Sequence, residues 1–307
     1  VLKKILILGC GYLGYNLADY LSNKYDITVI SRRKNLYSEA SSDKFRFFDI
    51  DLTNHTLLED FDLTDYIVIN AIGSSIPTTN IYNIGSELKF YDNLASLLLY
   101  LSKRNIKHII QISSGGTVYG NTDILPISEN QILEPTNIYA LQKIFFEGFL
   151  KVNFFENKTP YTILRVSNPY GGYQILDKQQ GVIPIILTNI IKGTEMKFWA
   201  DLNTVRDYIY ISDLSKAFEI VINNEEAKNE TYNVGNGVGT TILEVIKFCE
   251  KVTGESLRYM KSQNNVGLVN KNILDITKLR KLGFSTDITL EEGIKKEYKR
   301  LISSVAW

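Results

Sequence analysis

A doubly wound parallel α/β sheet with a smaller C-terminal α/β lobe is the fold class that this sequence predicts, and three observations predict it. From residue 1 to about 165, apolar runs of strand length alternate with segments of helical period, the pattern of βαβ units. A glycine-rich turn joins the first run to the first helix. After Pro169 the alternation loosens into the Gly- and Gln-rich stretch YGGYQILDKQQG, and shorter elements follow.

The runs KILIL, ITVIS, FRFFD, YIVIN, HIIQIS and YTILR are rich in β-branched and aromatic residues, which predicts six strands. Helices are expected from Leu13 to Lys24, from Ile84 to Lys103 and from Asn137 to Asn153. Beyond Pro169 the spacing predicts a helix from Val182 to Lys192 and short strands around Lys197 to Trp199 and Arg206 to Ile211. ISDLSKAFEIVIN reads as a helix capped by Ser212 or Asp213. TTILEVIKFCEKVTG reads as one capped by Thr240 or Thr241 and stopped by Gly254. The expected division is residues 1–165 and residues 166–307, with segments near 206–234 returning to the first unit.

Composition narrows the function classes. With 307 residues, 44% of them hydrophobic, the chain can fill a large core. Lys+Arg and Asp+Glu number 34 each, so no global field attracts nucleic acid or an anionic membrane, and an anionic ligand must be held by local groups. The two cysteines, Cys10 and Cys249, are too few for a disulfide framework. The two histidines, His55 and His108, have no neighbours at metal-ligand spacing. A reducing cytoplasm and no metal are therefore expected. No apolar run approaches the length that spans a bilayer, and VLKKILILG reads as a first strand rather than a leader.

The first strand runs into Gly9-Cys10-Gly11-Tyr12-Leu13-Gly14, the G-x-G-x-x-G pattern between a strand and an amphipathic helix. Gly9 permits the tight turn, Gly11 lets the backbone approach a pyrophosphate, and Gly14 lets helix pack on strand. The helix start at Tyr12 and Leu13 faces the anion. This predicts a Rossmann-type dinucleotide-binding domain. The second strand ends in Ser31-Arg32-Arg33, where an acidic residue would hold the ribose 2′-hydroxyl of NAD. Two guanidinium groups suit a 2′-phosphate, so NADP is favoured and NAD possible; the alternative is that both arginines are solvated loop residues.

Tyr139 and Lys143 stand at i, i+4 on an expected helix, so phenol and ammonium share one face. A neighbouring ammonium favours the phenolate of a tyrosine whose ordinary pKa is about 10, which permits proton exchange with a substrate hydroxyl.

Together with SSGGTVYG (Ser113 to Gly120), DLTN, AIG, RVSNPYGGYQ, VRDYIYISDL and YNVGNG, these motifs resemble the extended short-chain dehydrogenases/reductases, the NAD(P)-dependent nucleotide-sugar epimerases and dehydratases that include UDP-galactose 4-epimerase. The resemblance runs from Ile5 to about Gly293. It implies that Asp51 and Leu52 border the adenine and that Ala71, Ile72 and Gly73 lie along the cofactor. Ser113 and Ser114 stand beside the nicotinamide, Tyr139 is the acid/base, and Lys143 tunes it and holds the nicotinamide ribose. It implies further that Asn168 and Arg206 hold a substrate diphosphate, and that Val182 with Lys197, Phe198 and Trp199 forms a nucleobase slot in a substrate-binding lobe. Trp199 as a half-buried edge-strand residue, and Arg206-Asp207 as a strand-end ion pair, are the alternative readings of those positions.

Departures from the family pattern bear on the reaction. Gly115 stands where relatives carry the Ser or Thr that reaches the sugar 4-oxygen, so Ser114 or Thr117 is expected to replace it. Gly116 and Thr117 stand where dehydratases carry an Asp-Glu pair, which disfavours dehydration. NNVGLVNKN replaces an Arg-bearing stretch, leaving the diphosphate mainly to Arg206, Asn168 and helix-terminus amides. Asn272 falls near a position whose small size leaves room for a 2-acetamido group. The expected function is a nucleotide-sugar 4-epimerase working through a 4-keto intermediate on a UDP- or dTDP-sugar. The alternatives are an NADPH-dependent 4-keto-6-deoxysugar reductase and a non-catalytic dinucleotide-binding scaffold. Two long helices resemble those that pair relatives into homodimers; the stripe Leu94, Leu97, Leu98 and Leu101 is either that interface or a core face.

Overall fold

The computed structural model describes residues 2–32, 44–53, 55–59, 61–79, 81–174, 181–198, 201–261 and 269–304; Arg33, Trp199 and part of NNVGLVNKN lie outside these. Six strands, β1 (Lys4–Leu8), β2 (Asp26–Ser31), β3 (Arg46–Asp49), β4 (Ile67–Asn70), β5 (His108–Ser114) and β6 (Tyr161–Val166), match the six apolar runs to within a residue or so at each end. A seventh, β10 (Glu230–Val234), joins them from far along the chain. All pair in parallel in the order β10-β6-β5-β4-β1-β2-β3. The central strands β4, β5 and β6 are buried along their whole length, which is why they read as unbroken apolar runs, whereas edge strand β3 is largely exposed.

Alternate residues of β1 feed opposite cores. Ile5 and Ile7 pack under α1 (Tyr12–Leu21) and α5 (Ile211–Asn223), while Leu6 and Leu8 pack under α2 (Ile84–Ser102) and α3 (Ile138–Asn157). Each fully buried Leu or Ile contributes about 1.5–3 kcal/mol, so a slip of one residue in β1 would be costly on both faces. Leu94, Leu97, Leu98 and Leu101 are all 3% exposed or less in the second of these cores. The stripe is therefore the core face of α2.

A further core gathers α4 (Val182–Lys192), α6 (Ile242–Thr253), α8 (Leu290–Ser304) and β8 (Met196–Phe198) around Ile186, Leu187, Val245, Ile246 and Leu301, whereas the short α7 (Thr277–Arg280) buries Leu279 in the core beneath α1 and α5. Beside it, β11 (Gly239–Thr241), β9 (Val205–Tyr210) and β7 (Asn168–Tyr170) form a small sheet, and β12 (Tyr259–Lys261) pairs with β8. Thr241 caps α6 in a reciprocal box with Glu244, and Gly254 ends it at φ 76°. The expected cap of α5 is corrected: Tyr210 stands at its N-cap without a side-chain bond, and buried Asp213 instead accepts from the backbone N–H groups of Asp287 and Ile288.

The strand order changes direction between β1 and β4. The turns after those two strands and after β5 therefore open onto one crevice at the carboxyl ends of the sheet, where ligands of such folds bind.

Candidate active site at the carboxyl edge of the sheet

The glycine turn has the shape its pattern predicts. Gly9 sits at φ 92° and donates its N–H to the Ile30 carbonyl at 2.8 Å. A Cβ at position 14 would lie 2.0 Å from the Gly9 carbonyl oxygen, so only glycine allows α1 to start this close to β1. A Cβ at Gly11, by contrast, would meet nothing within 4 Å, and Gly11 caps α1 with no side chain on the first amides. That open backbone cradle at a helix N-terminus fits a dinucleotide pyrophosphate. Leu13 packs into the core beneath, and the Tyr12 hydroxyl donates to the Gly171 carbonyl at 2.9 Å, tying the cradle to the second lobe.

At the end of β2, Ser31 leads to Arg32, whose side chain is 63% exposed and 4.0 Å from the Asp51 carboxylate. Asp51 also accepts from the Thr53 N–H, and Leu52 turns inward to the core. After β4, Ala71 donates to the Leu8 carbonyl and Ile72 packs on the same core as Leu52. A Cβ at Gly73 would be 3.9 Å from Lys143 Nζ, so this turn runs directly past the catalytic candidates.

Asn137 caps α3 through the Ala140 N–H, which fixes Tyr139 and Lys143 in its first turns. The Tyr139 phenol lies beside Ser114, and the Thr117 hydroxyl donates to Ser114 Oγ at 3.0 Å. Lys143 Nζ donates to the Ile112 carbonyl at 3.2 Å and lies 5.4 Å from the centre of the Tyr139 ring. Burial pushes the phenol above its ordinary value, against the lowering effect of Ser114, and pushes the Lys143 ammonium down to about 8. The tyrosine is thus not a phenolate by default, and a positive charge must offset its desolvation.

Asn168 completes this wall. Its Nδ2 donates to the Asp207 carbonyl at 3.1 Å, and a Cβ at Gly116 would lie 3.8 Å from Ser114 Oγ and 3.9 Å from the Asn168 amide atoms. Arg206 is half-buried and donates to the Val205 carbonyl at 2.9 Å; burial pulls its pKa down, and no carboxylate pairs with it among the described residues. The strand-end ion pair does not form. Asp207 turns the other way, is fully buried, and accepts from the N–H groups of Asn236, Gly237 and Leu274.

Packing gives Gly115 a steric reason and corrects three sequence expectations. A Cβ at position 115 would lie 2.5 Å from Leu274 and 2.9 Å from the Arg165 carbonyl, so a Ser or Thr there would push against both, and Ser114 is the hydroxyl beside Tyr139. The Ser113 hydroxyl points away from the crevice and donates to buried Glu147. Phe198 is 4% exposed and packs edge-on against Tyr259 in the lobe core, because alternation along β8 turns Lys197 out and Phe198 in. Asn272 is 1% exposed and donates to the Gly115 carbonyl at 2.8 Å, so it braces the strand mouth rather than leaving space for a sugar substituent. Val182 begins α4 and is partly buried against the same lobe core.

Sequence reasoning also missed a buried group. Glu147, one turn along α3 from Lys143, accepts from Arg165 Nε and Nη2, the latter at 2.6 Å. Arg165 in turn donates to the Tyr119 hydroxyl, which donates to Asn233. Arg165, Tyr119 and Asn233 all lie inside motifs that mark the family, and Glu147 follows Lys143 at i, i+4. The signal is a carboxylate on the buried face of the helix that carries the candidate Tyr139/Lys143 pair.

The model of the NAD dependent epimerase/dehydratase family matches residues 5–235, three quarters of the chain. The chain belongs to that family. Its members of this extended short-chain dehydrogenase/reductase kind are NAD-dependent enzymes of nucleotide-sugar chemistry. Among similar proteins, the UDP-glucose 4-epimerase of Bacillus subtilis is 29% identical over 97% of this chain and 96% of its own. The dTDP-4-dehydro-6-deoxyglucose reductase of Escherichia coli is 34% identical over 71% of this chain and 67% of its own. The solved UDP-glucose 4-epimerase of Thermotoga maritima with UDP-glucose superposes at a TM-score of 0.91, with 27% identity over 98% of this chain and 99% of that one.

Proposed function

We propose that this chain is a nucleotide-sugar 4-epimerase that acts on a UDP-sugar through a 4-keto intermediate. One juxtaposition carries the reading: the Tyr139 phenol beside Ser114, with Lys143 on the same helix face and 5.4 Å from the ring centre, next to the open glycine cradle. NAD(P) held in that cradle supplies a reversible hydride acceptor. Ser114 holds the sugar 4-oxygen, and Thr117 orients Ser114 from 3.0 Å. Tyr139 takes the 4-hydroxyl proton and returns it after the sugar has turned. The Lys143 charge offsets the desolvation that otherwise keeps the phenol neutral. Arg206, a half-buried cation without a carboxylate among the described residues, receives the diphosphate with Asn168.

Several finer points belong to the same reading. Val182 and the exposed residue Lys197 border the nucleobase. NADP is favoured over NAD because Arg32 is largely exposed and only loosely matched by Asp51, while Ser31 stands where an acid would select NAD. A homodimer is favoured by the outer faces of α2 and α3, where Leu88, Leu141, Phe145 and Val152 are 40% exposed or more. No described helix is long and apolar enough to cross a membrane, and a cytoplasmic location suits the substrate class.

The reductase reading is favoured by one observation, the same Arg32, since a reductase consumes NADPH and must exchange it. Denaturing the purified protein separates the two: a retained nucleotide supports the epimerase, and an empty site that binds and oxidises NADPH with a 4-keto-sugar nucleotide supports the reductase. Interconversion of UDP-glucose and UDP-galactose is expected from the wild type, with kcat reduced at least about 100-fold in Tyr139→Phe. Unchanged turnover in that variant would end the proposed chemistry.

A further inference from the structure

The buried Glu147 serves more than packing. Parallel register sets Ser113 beside Arg165 on neighbouring strands, so both side chains rise toward the same point of α3, and Glu147 descends to meet them. Glu147 and Arg165 are 1% and 3% exposed. Their pair is oriented: the carboxylate lies on the helix that carries Lys143, and the guanidinium lies behind it, held by the Tyr119 hydroxyl at 2.9 Å and the Glu129 carbonyl at 3.0 Å.

We infer that Glu147, clamped by Arg165 and Ser113, is a positioning residue that keeps Lys143 an ammonium over the Tyr139 ring. The inference rests on the proposed acid/base role of Tyr139 and Lys143. A buried lysine in contact with only a carbonyl, here that of Ile112, tends to lose its proton. Glu147 follows Lys143 at i, i+4 on the buried face of α3, so its carboxylate opposes the pull of burial that brings Lys143 down to about 8. Around Lys143 the other elements offer little charge. β5 presents the Ile112 carbonyl, the turn after β4 presents side-chain-free Gly73, and α3 itself presents Tyr139. The remaining acid nearby is Glu87 on α2, which is occupied by Ser74 and by Gln142, the residue preceding Lys143. Arg165, behind Glu147, acts with the opposite sign. The clamp also reaches the other half of the site, because Ser113 precedes the Ser114 that stands beside Tyr139.

Opposite charges make the test directional. In lysine-labelled protein, the 13Cε resonance of Lys143, assigned by its loss in Lys143→Met, is titrated in the wild type, Glu147→Gln and Arg165→Gln. The midpoint is expected to fall by about one pH unit in Glu147→Gln and to rise in Arg165→Gln. A purely structural role would shift both in the same direction or neither, and either result overturns the inference. Should a single variant fail to fold, the paired change Glu147→Met with Arg165→Met leaves no charge unmatched. Its midpoint is expected below that of the wild type, and an unchanged midpoint overturns the inference. The readout needs no turnover, so it stands apart from the epimerase reading. Where UDP-glucose is turned over, the basic limb of kcat follows the same midpoint in each variant while KM holds.

Discussion

Arg165 and Arg206 stand on two strands that flank the same crevice, each near an acid, and the acids treat them oppositely. Glu147 is distant from Arg165 in sequence and closes on it at 2.6 Å; Asp207 is adjacent to Arg206 in sequence and turns its carboxylate to three backbone amides. The first arginine is neutralised inside the protein, and the second keeps a charge that no carboxylate among the described residues matches. An acid satisfied by dipoles fixes loops without needing a cation, which is how one strand can brace the chain and carry a guanidinium unpaired with any described carboxylate within two consecutive residues.

The largest effect should come from breaking the neutralised pair. Arg165→Met leaves Glu147 charged in a buried pocket, and removing one member of such a pair costs about 3–5 kcal/mol. Chemical denaturation should show that loss. A drop below about 1 kcal/mol would mean that water reaches Glu147 and that the two arginines differ less than their burial implies.

Asp207 tests the other half of the contrast. Burial raises its carboxyl to about 6, against three amide donors that lower it. A raised folded-state value means that the protonated form suits the folded chain. The stabilisation is therefore fully present below about 4 and lost as pH rises through about 6, by at most roughly 3 kcal/mol. The stability difference between wild type and Asp207→Asn should narrow or invert across that window and stay flat from 7 to 8. A flat difference from 4 to 8 would show an ionised Asp207 throughout, held as firmly by amides as Glu147 is by its arginine.

How legible the molecule was follows the same division. Strands β1, β4, β5 and β6 were readable because both faces are buried, and the glycine turn because Gly9 and Gly14 have steric reasons that no other residue satisfies. Tyr139 and Lys143 were readable because helical spacing alone brings them together. What escaped the sequence was set by long-range packing. Leu274 fills the space beside Gly115, Asn272 turns inward to its carbonyl, and Ser113 is drawn to Glu147, each through a partner more than thirty residues away. Helix α8 escaped too, since its charged stretch EEGIKKEYKR obscures the buried Ile294 within it and Leu301 just after it.

Arg206 closes the contrast with the smallest effect on folding and a selective effect on binding. Its guanidinium is partly desolvated and has no carboxylate among the described residues, so Arg206→Leu removes an unfavourable burial and should leave stability within about 0.5 kcal/mol or raise it. Binding should move the other way. A charge-assisted contact to a diphosphate is worth about 2 kcal/mol, so the Kd for UDP-glucose by calorimetry should weaken about 30-fold. The phosphate-free sugar is too weak a ligand to serve as control, but the cofactor is a good one: affinity for NAD should stay within a factor of about two, because the glycine cradle lies across the crevice. Equal losses for UDP-glucose and NAD would show that Arg206 shapes the crevice as a whole, and then the two arginines would both be structural.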